Sequence, residues 1–437
     1  MKNLETSVER RPSEIGGSPP WRFARLPWHW IVFALGLLTG LIAVGLRSAL
    51  PLDPAFDPYY FGKMGASVAR GDGLIPFGNL IQRRAPLYPL VIGAVYFLAG
   101  ERPLLIQLLQ CVFLAATCVL CFDMGRRLFN ARTGAVAGVL CALHPMMIRY
   151  VADLHLETQL TFLFTLMVWA TVRFWEHPSI PRGASVGIAA GLASLTKAVA
   201  LLYPGVFALG IVVTHLVALR RGAASRLPWK PLATMFMVLG LVILPWTIRN
   251  YRATGGHFVL ISSGLSDAIL RSYIFSKWEF ALLQKPPYTD AENESNALLN
   301  KLCRDAGTEC SRNDWETDQI LNRAAKEKVK GDPVAYLGKS MVGLFTFWYQ
   351  LTSLKNSLIV GLLAVVAWVF AIVGCLRSRR EHRPAWLLLA PVLYLNLFLA
   401  ALLALGRYSV PILPALLVLT AFGLDTVWSK MNLARTR

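Results

Sequence analysis

The chain has 437 residues, of which 55% are hydrophobic and only 16% charged, with a mean hydropathy of +0.49. Length alone would allow two or three soluble domains, but so large an apolar excess excludes an ordinary soluble protein. The net charge of +19 does not mark a nucleic-acid binder. Most Lys and Arg fall in short loops between apolar runs, which is the positive-inside pattern of a polytopic membrane protein.

Residues 1–27 carry Arg10, Arg11, Arg22 and Arg25 among several Pro and Gly, and are expected to form a disordered cytoplasmic tail. The apolar run that follows is long and lacks an A-x-A-like cleavage site, so it is expected to be a retained span. A helix needs about 20 apolar residues to cross a bilayer. That criterion predicts ten spans, near 29–50, 104–124, 133–151, 158–175, 184–197, 199–218, 231–248, 357–376, 385–404 and 409–427. The run 86–100 is apolar but short and proline-bearing. Counting it as a span would put Arg126, Arg127 and Arg132 outside, so it is expected to be a juxtamembrane or re-entrant helix. Arg220, Arg221, Arg226 and Lys230 then lie inside, as do Arg377, Arg379, Arg380, Arg383, Lys430, Arg435 and Arg437.

Both termini are thus expected on the cytoplasmic side. Three external segments follow: the loop 51–103, the turn 152–157, and an insert at 249–356 whose acidic and basic residues nearly balance. Long translocated segments are largely exempt from the positive-inside rule. The insert is expected to be a small, mainly helical cap, with 317–330 (TDQILNRAAKEKVK) as one of its helices. The expected organisation is therefore a tail at 1–27, a transmembrane module at 28–248, the insert at 249–356, and further transmembrane helices at 357–437.

Cys111, Cys118, Cys121, Cys141 and Cys375 lie in or beside apolar runs, where Cys is a small buried hydrophobe. Cys303 and Cys310 sit in a polar stretch, KLCRDAGTECSR, and an external location there makes a disulfide one alternative and two thiols the other.

Carboxylates beside membrane spans are costly and so mark functional candidates. Asp53 and Asp57 (LDPAFDPYYFGKM) and Asp153, His155 and Glu157 (VADLHLE) all fall on the external side. Cations join them at that level: Arg83 and Arg84 before PLYP, Lys197 in GLASLTKAVALLYP, Arg249 in WTIRNY, and Arg407 in GRYSVPILP. A carboxylate can deprotonate an acceptor hydroxyl, while Arg and Lys hold a phosphate and stabilise leaving charge. Plainer readings stand beside these. Asp-Pro also starts turns and caps helices, Arg83, Arg102 and Arg149 suit interfacial snorkelling, and Arg407 could anchor the interface. His144 in ALHPMM is expected to be a satisfied polar residue inside a helix. Asp153, His155 and Glu157 are also residue types that ligate divalent cations, so a metal there is an alternative to a metal-free turn.

In their order along the chain, the motifs FDPYYFGKMGASVARGDGL, RRAPLYPLVIGAVYFLAG, RRLFNARTGAVAGVLCALHP, ADLHLETQLTF, GLASLTKAVALLYP, PWTIRNYRATG and RYSVPILP resemble the GT-C membrane glycosyltransferases. The resemblance is in particular to glycosyltransferase family 39 and the RgtA/B/C/D-like group, which includes the protein O-mannosyltransferases and the lipid A aminoarabinose transferase. It covers about residues 28–270 and 384–427. The resemblance implies an all-α polytopic GT-C fold, with juxtamembrane helices in the first external loop. It implies that Asp57, followed by Pro58 and Tyr59, is the catalytic base or acceptor-positioning acid, with Asp53 second. It implies further that Arg84, Lys197 and Arg407 meet a lipid-linked donor phosphate. The second acidic position falls on Asp153 or Glu157, because relatives carry T-E where this chain has E-T. The resemblance does not extend over the insert 253–356, which leaves the acceptor open.

The expected function is inverting transfer of a sugar from a polyprenyl-phosphate donor to an extracytoplasmic hydroxyl on a glycan, lipid or protein. The site would lie on the outer face of a bacterial plasma membrane. One rival is a lipid or small-solute transporter or flippase, but such folds commonly show internal repeats and none is found. The other rival is a non-catalytic scaffold of the same fold.

Overall fold

The computed structural model describes residues 26–47, 57–74, 84–224, 226–279, 288–308, 315–351 and 353–435. Among them the regular structure is helical throughout. Helix α1 (Trp28–Arg47) is followed by α2 (Asp57–Ala69) and α3 (Leu87–Ala99), then α4 (Pro103–Leu128), α5 (Ala131–Leu143), α6 (Pro145–Val151), α7 (Leu156–Glu176) and α8 (Ile180–Thr196). A 3-10 turn at Ala198–Ala200 leads into α9 (Tyr203–Arg220) and α10 (Trp229–Ala253). The insert contains α11 (Leu265–Glu279), α12 (Tyr288–Asp305), α13 (Trp315–Gly331) and α14 (Pro333–Thr346). The chain closes with α15 (Leu354–Arg380), α16 (Trp386–Ala401), a 3-10 segment at Gly406–Ile412, and α17 (Leu413–Arg435).

Among the described residues, each of the ten predicted spans falls mostly on helix. Six of these stretches are long and apolar enough to cross a membrane alone, and the α5–α6 pair makes a seventh as one bent span. The chain is an integral membrane protein. The other predicted spans fall short of that test for physical reasons. Helix α7 spends its length on Thr, Gln and Glu that pack inward, α8 is short and built of Gly, Ala and Ser, and α16 has 16 residues. The run at 86–100 forms the 13-residue α3, packed on α2, as its short length suggested.

His144 corrects an expectation. It sits between α5 and α6, not inside a helix, and its Nδ1 accepts the Met146 amide hydrogen at 3.3 Å. The helices bend by 51° there. Pro145 cannot donate to the helical ladder, and the histidine caps the helix that restarts.

Small residues set the helix spacing. Gly36 and Gly40 of α1 leave room for Ala115, Cys118 and Cys111 of α4. Gly183, Gly187 and Gly191 recur every fourth residue along α8 and face Pro231, Met235 and Val242 of α10. Such close approach is how apolar helices gain packing where lipid offers no hydrophobic driving force between them. Cys111, Cys118, Cys121 and Cys141 are buried in these contacts as free thiols. Helix α17 is buried along most of its length, whereas α1 and α15 present mostly outward-facing apolar surface.

In the insert, Leu270, Leu299, Leu321 and Ala325 join α11, α12 and α13. Cys303 is disulfide-bonded; Cys310 lies outside the described residues.

Candidate functional site

Five helix ends and one 3-10 segment meet at one end of the bundle: the C-terminal ends of α1, α8 and α10, the N-terminal ends of α4 and α7, and Gly406–Ile412. The turn 152–155 between α6 and α7 is fixed from below by α4. Gln110, almost fully buried, donates to the carbonyls of Val151 (2.8 Å) and Asp153 (2.7 Å), and Gln107 donates to that of Ala152 at 2.6 Å. The Tyr88 hydroxyl of α3 donates to Gln110 Oε1 at 2.8 Å. An intramembrane amide left unpaired is expensive, so these contacts hold both the glutamines and the turn.

The Asp153 side chain meets Arg47, the last residue of α1, with Nε 2.9 Å from Oδ1. Both are partly exposed. Glu157 differs. It lies in the first turn of α7, 3% exposed, where the helix N-terminus favours negative charge. Arg407 Nε is 3.9 Å from its Oε1, and His155 Nδ1 is 3.6 Å from its Oε2. Both separations exceed hydrogen-bond range, and Oε2 has no hydrogen-bond donor among the described residues.

Lys197 follows directly on α8. Gln159 of α7 donates to Thr196 Oγ1 at 3.1 Å, and the Tyr394 hydroxyl holds the Val199 carbonyl at 2.6 Å, so the lysine is bracketed on both sides. Its Nζ stands 3.6 Å from the Tyr408 ring centroid. The Arg407 guanidinium stands 5.1 Å from the same centroid. Two cations and a buried carboxylate thus gather around Tyr408.

Arg84 lies 4.9 Å over the Phe61 ring of α2, and Phe61 meets Tyr88 edge-on at 5.1 Å. One apolar cluster joins Phe61, Met64 and Tyr88 to Leu154, with Leu156 and Trp246 packed against it. It seats α2 and α3 on the turn that carries His155. Arg249 stacks on Trp246 at 4.5 Å, at this same end.

The structure therefore brings together Glu157, Arg407, Lys197 and His155. It ties Asp153 to Arg47, and it sets Arg84 against α2. Asp57 opens α2, but its side chain is not among those described. Asp53 and Arg83 lie outside the described residues. Asp153, His155 and Glu157 do not converge on one point, because the Asp153 carboxylate is given to Arg47. Among the described residues no group of three or more His, Cys, Asp or Glu side chains is placed to hold a metal ion.

Tyr408, Arg47, Gln107, Gln110 and Tyr88 were not singled out from sequence. A signal existed for the two glutamines, which are polar residues three apart in an apolar span.

Comparison with known proteins bears on the fold. The family model described as dolichyl-phosphate-mannose-protein mannosyltransferase matches residues 83–246, the stretch that carries Arg84, the acidic turn and Lys197. Among solved structures, the chain is similar to the archaeal oligosaccharyltransferase AglB from Archaeoglobus fulgidus in complex with an inhibitory peptide and a dolichol-phosphate. Identity there is 15% and the TM-score 0.57, over 94% of this chain and 51% of that one. The apo form of the Archaeoglobus fulgidus oligosaccharyltransferase gives 16% and 0.56, over 94% and 52%. ArnT from Cupriavidus metallidurans in the apo state gives 17% and 0.42, over 91% and 78%. The chain spans about half the length of the oligosaccharyltransferase it matches. No curated protein sequence matches it. The fold is GT-C-like, and the resemblance drawn from the motifs holds over the matched stretch.

Proposed function

We propose that the chain is a glycosyltransferase that moves a sugar from a polyprenyl-phosphate donor to an acceptor hydroxyl, with inversion at the anomeric carbon. The observation that carries this reading is the gathering of buried Glu157 with Arg407 and Lys197 around Tyr408. Such a set can receive a phosphate. Support comes from the mannosyltransferase family model over residues 83–246 and from the fold shared with an oligosaccharyltransferase solved with a dolichol-phosphate.

In this mechanism the isoprenoid tail lies among the apolar helices. Lys197 and Arg407 take the donor phosphate, with Arg84 reaching it from the α2–α3 side. Charge-assisted contacts of this kind are about twice as strong as neutral ones. The acceptor oxygen attacks the anomeric carbon and gives its proton to the Asp57 carboxylate, with Asp53 as helper. The bond from the anomeric carbon to the phosphate oxygen breaks, and the polyprenyl phosphate leaves with its charge met by those cations. Glu157 holds Arg407 in place, and Asp153 holds the turn through Arg47. The acceptor is a glycan, lipid or protein on the external face, and the insert 249–356 caps that face.

The test is transfer of labelled sugar from synthetic polyprenyl-phosphate sugars by purified protein, with native membranes as the acceptor source. Asp57→Asn should lose about a hundredfold or more of the transfer rate while its thermal melt stays that of the wild type. Full retained activity in that variant would overturn the role of Asp57.

A further inference from the structure

Insert and bundle are fastened together at a point two steps from a site residue. Lys339, in the middle of α14, is 8% exposed. Its Nζ donates to the carbonyl of Ala401 at 2.6 Å and to that of Leu402 at 3.0 Å. Tyr336, one turn earlier on the same face, donates its hydroxyl to the Ala401 carbonyl at 2.9 Å. These carbonyls end α16, where the last C=O groups lack helical partners and the helix carries partial negative charge. A lysine that only covers surface keeps its ammonium in water. This one surrenders it to the main chain of another helix, with the Tyr336 ring centroid 4.6 Å away. Burial also raises the Tyr336 hydroxyl above its ordinary value, so it stays a donor at neutral pH.

The fastening continues towards the site. Asn396 donates to the Leu344 carbonyl at 3.1 Å. The Gly406 amide donates to the Gln350 carbonyl at 2.8 Å. A Cβ at Gly406 would come within 2.7 Å of that same oxygen, so the close approach needs glycine. From the other side, Ile274 and Phe275 of α11 bury Leu403 and Leu405, with Tyr408 at the edge of the cluster. Residues 401–406 are thus gripped by the insert and its exit. The next two residues are Arg407 and Tyr408.

We propose that Lys339 and Tyr336 are positioning residues that lock the segment 402–406 and so set where Arg407 and Tyr408 stand relative to Glu157 and Lys197. The inference rests on the phosphate-binding role proposed above for Arg407. It makes the seating of the insert a determinant of donor-phosphate affinity. A shift of α14 against α16 moves the Arg407 guanidinium.

Two readouts on the purified full chain test it. Hydrogen exchange at 402–408 needs no ligand. Lys339→Met should raise exchange there, without a comparable rise in α4 or α7, and Lys339→Arg should restore protection. Unchanged exchange in Lys339→Met would overturn the proposal. The second readout is affinity for undecaprenyl phosphate. Lys339→Met should weaken it about tenfold, whereas in an Arg407→Ala background the same change should add nothing. Equal loss in both backgrounds would show that Lys339 acts independently of Arg407 and would overturn it. Wild-type protein that binds no undecaprenyl phosphate would defeat the reading of the Arg407 site itself, and the exchange result would then decide the locking alone.

Discussion

The two ends of the helix bundle both carry dense charge, and they satisfy it differently. At the α4 C-terminal end, Asp123 accepts from Arg126 at 2.6 Å, from the Trp169 indole at 2.8 Å, and from Arg127. Glu176 takes Arg127 at 3.1 Å. Asp425 takes Arg377 at 3.1 Å and Asn130 at 3.2 Å. Each of these carboxylates is met by donors at hydrogen-bond distance. At the other end the more deeply buried Glu157 has His155 at 3.6 Å and Arg407 at 3.9 Å, and among the described residues one of its oxygens has no hydrogen-bond donor. Charges paired at hydrogen-bond distance hold helices together, whereas a buried carboxylate set back from its basic neighbours does not make that kind of clasp. Charge near a membrane span is therefore a weak guide until its partners are known.

Substitutions at the two ends should break that contrast or sharpen it. The largest effect is expected from Glu157→Gln, which keeps the shape but removes the charge that holds Arg407. Sugar transfer should fall about a hundredfold, while the thermal melt moves little. Arg407→Ala removes that cation itself and should cost as much, about a hundredfold in kcat/KM for the polyprenyl-phosphate donor, most of it through KM; steady-state kinetics separates the two. At the opposite end, Asp425→Ala takes from Arg377 one of its two carboxylate partners and from Asn130 an acceptor. Removing one side of a half-buried pair costs about 1–3 kcal/mol, so a denaturation midpoint should drop while the donor KM is unchanged. The smallest effect is expected from Arg47→Met. Its pair with Asp153 is partly exposed, so stability should change by at most about 1 kcal/mol, and transfer only as far as the acidic turn loosens.

Much of the fold was legible because the bilayer imposes length and apolarity on every span. That constraint marked helices even where α7 and α8 are too polar or too short for a strict hydropathy test. The break at His144 runs against the expected unbroken span 133–151, and its signal was Pro145, a residue type suited to the first position of a helix. The cations Lys197 and Arg407 were legible singly, as costly residues beside apolar runs. Their meeting on Tyr408 was not, since it depends on where the fold sets the end of α8 against the segment 406–412. The same holds for Asp153. Its turn was readable, but its partner Arg47 lies 106 residues earlier, where it looked like the end of a span. Gln107 and Gln110 offered a sequence signal, yet only the fold shows that they hold the acidic turn.

The most direct test sets the two ends against each other in one assay. Purified wild type, Asp425→Ala and Glu157→Gln proteins are supplied with synthetic polyprenyl-phosphate sugars and native membranes, and the label transferred per folded molecule is measured. The account predicts transfer by wild type and Asp425→Ala and its loss in Glu157→Gln. Transfer that survives Glu157→Gln but fails in Asp425→Ala, or no transfer from any polyprenyl-phosphate sugar by wild type, would contradict it.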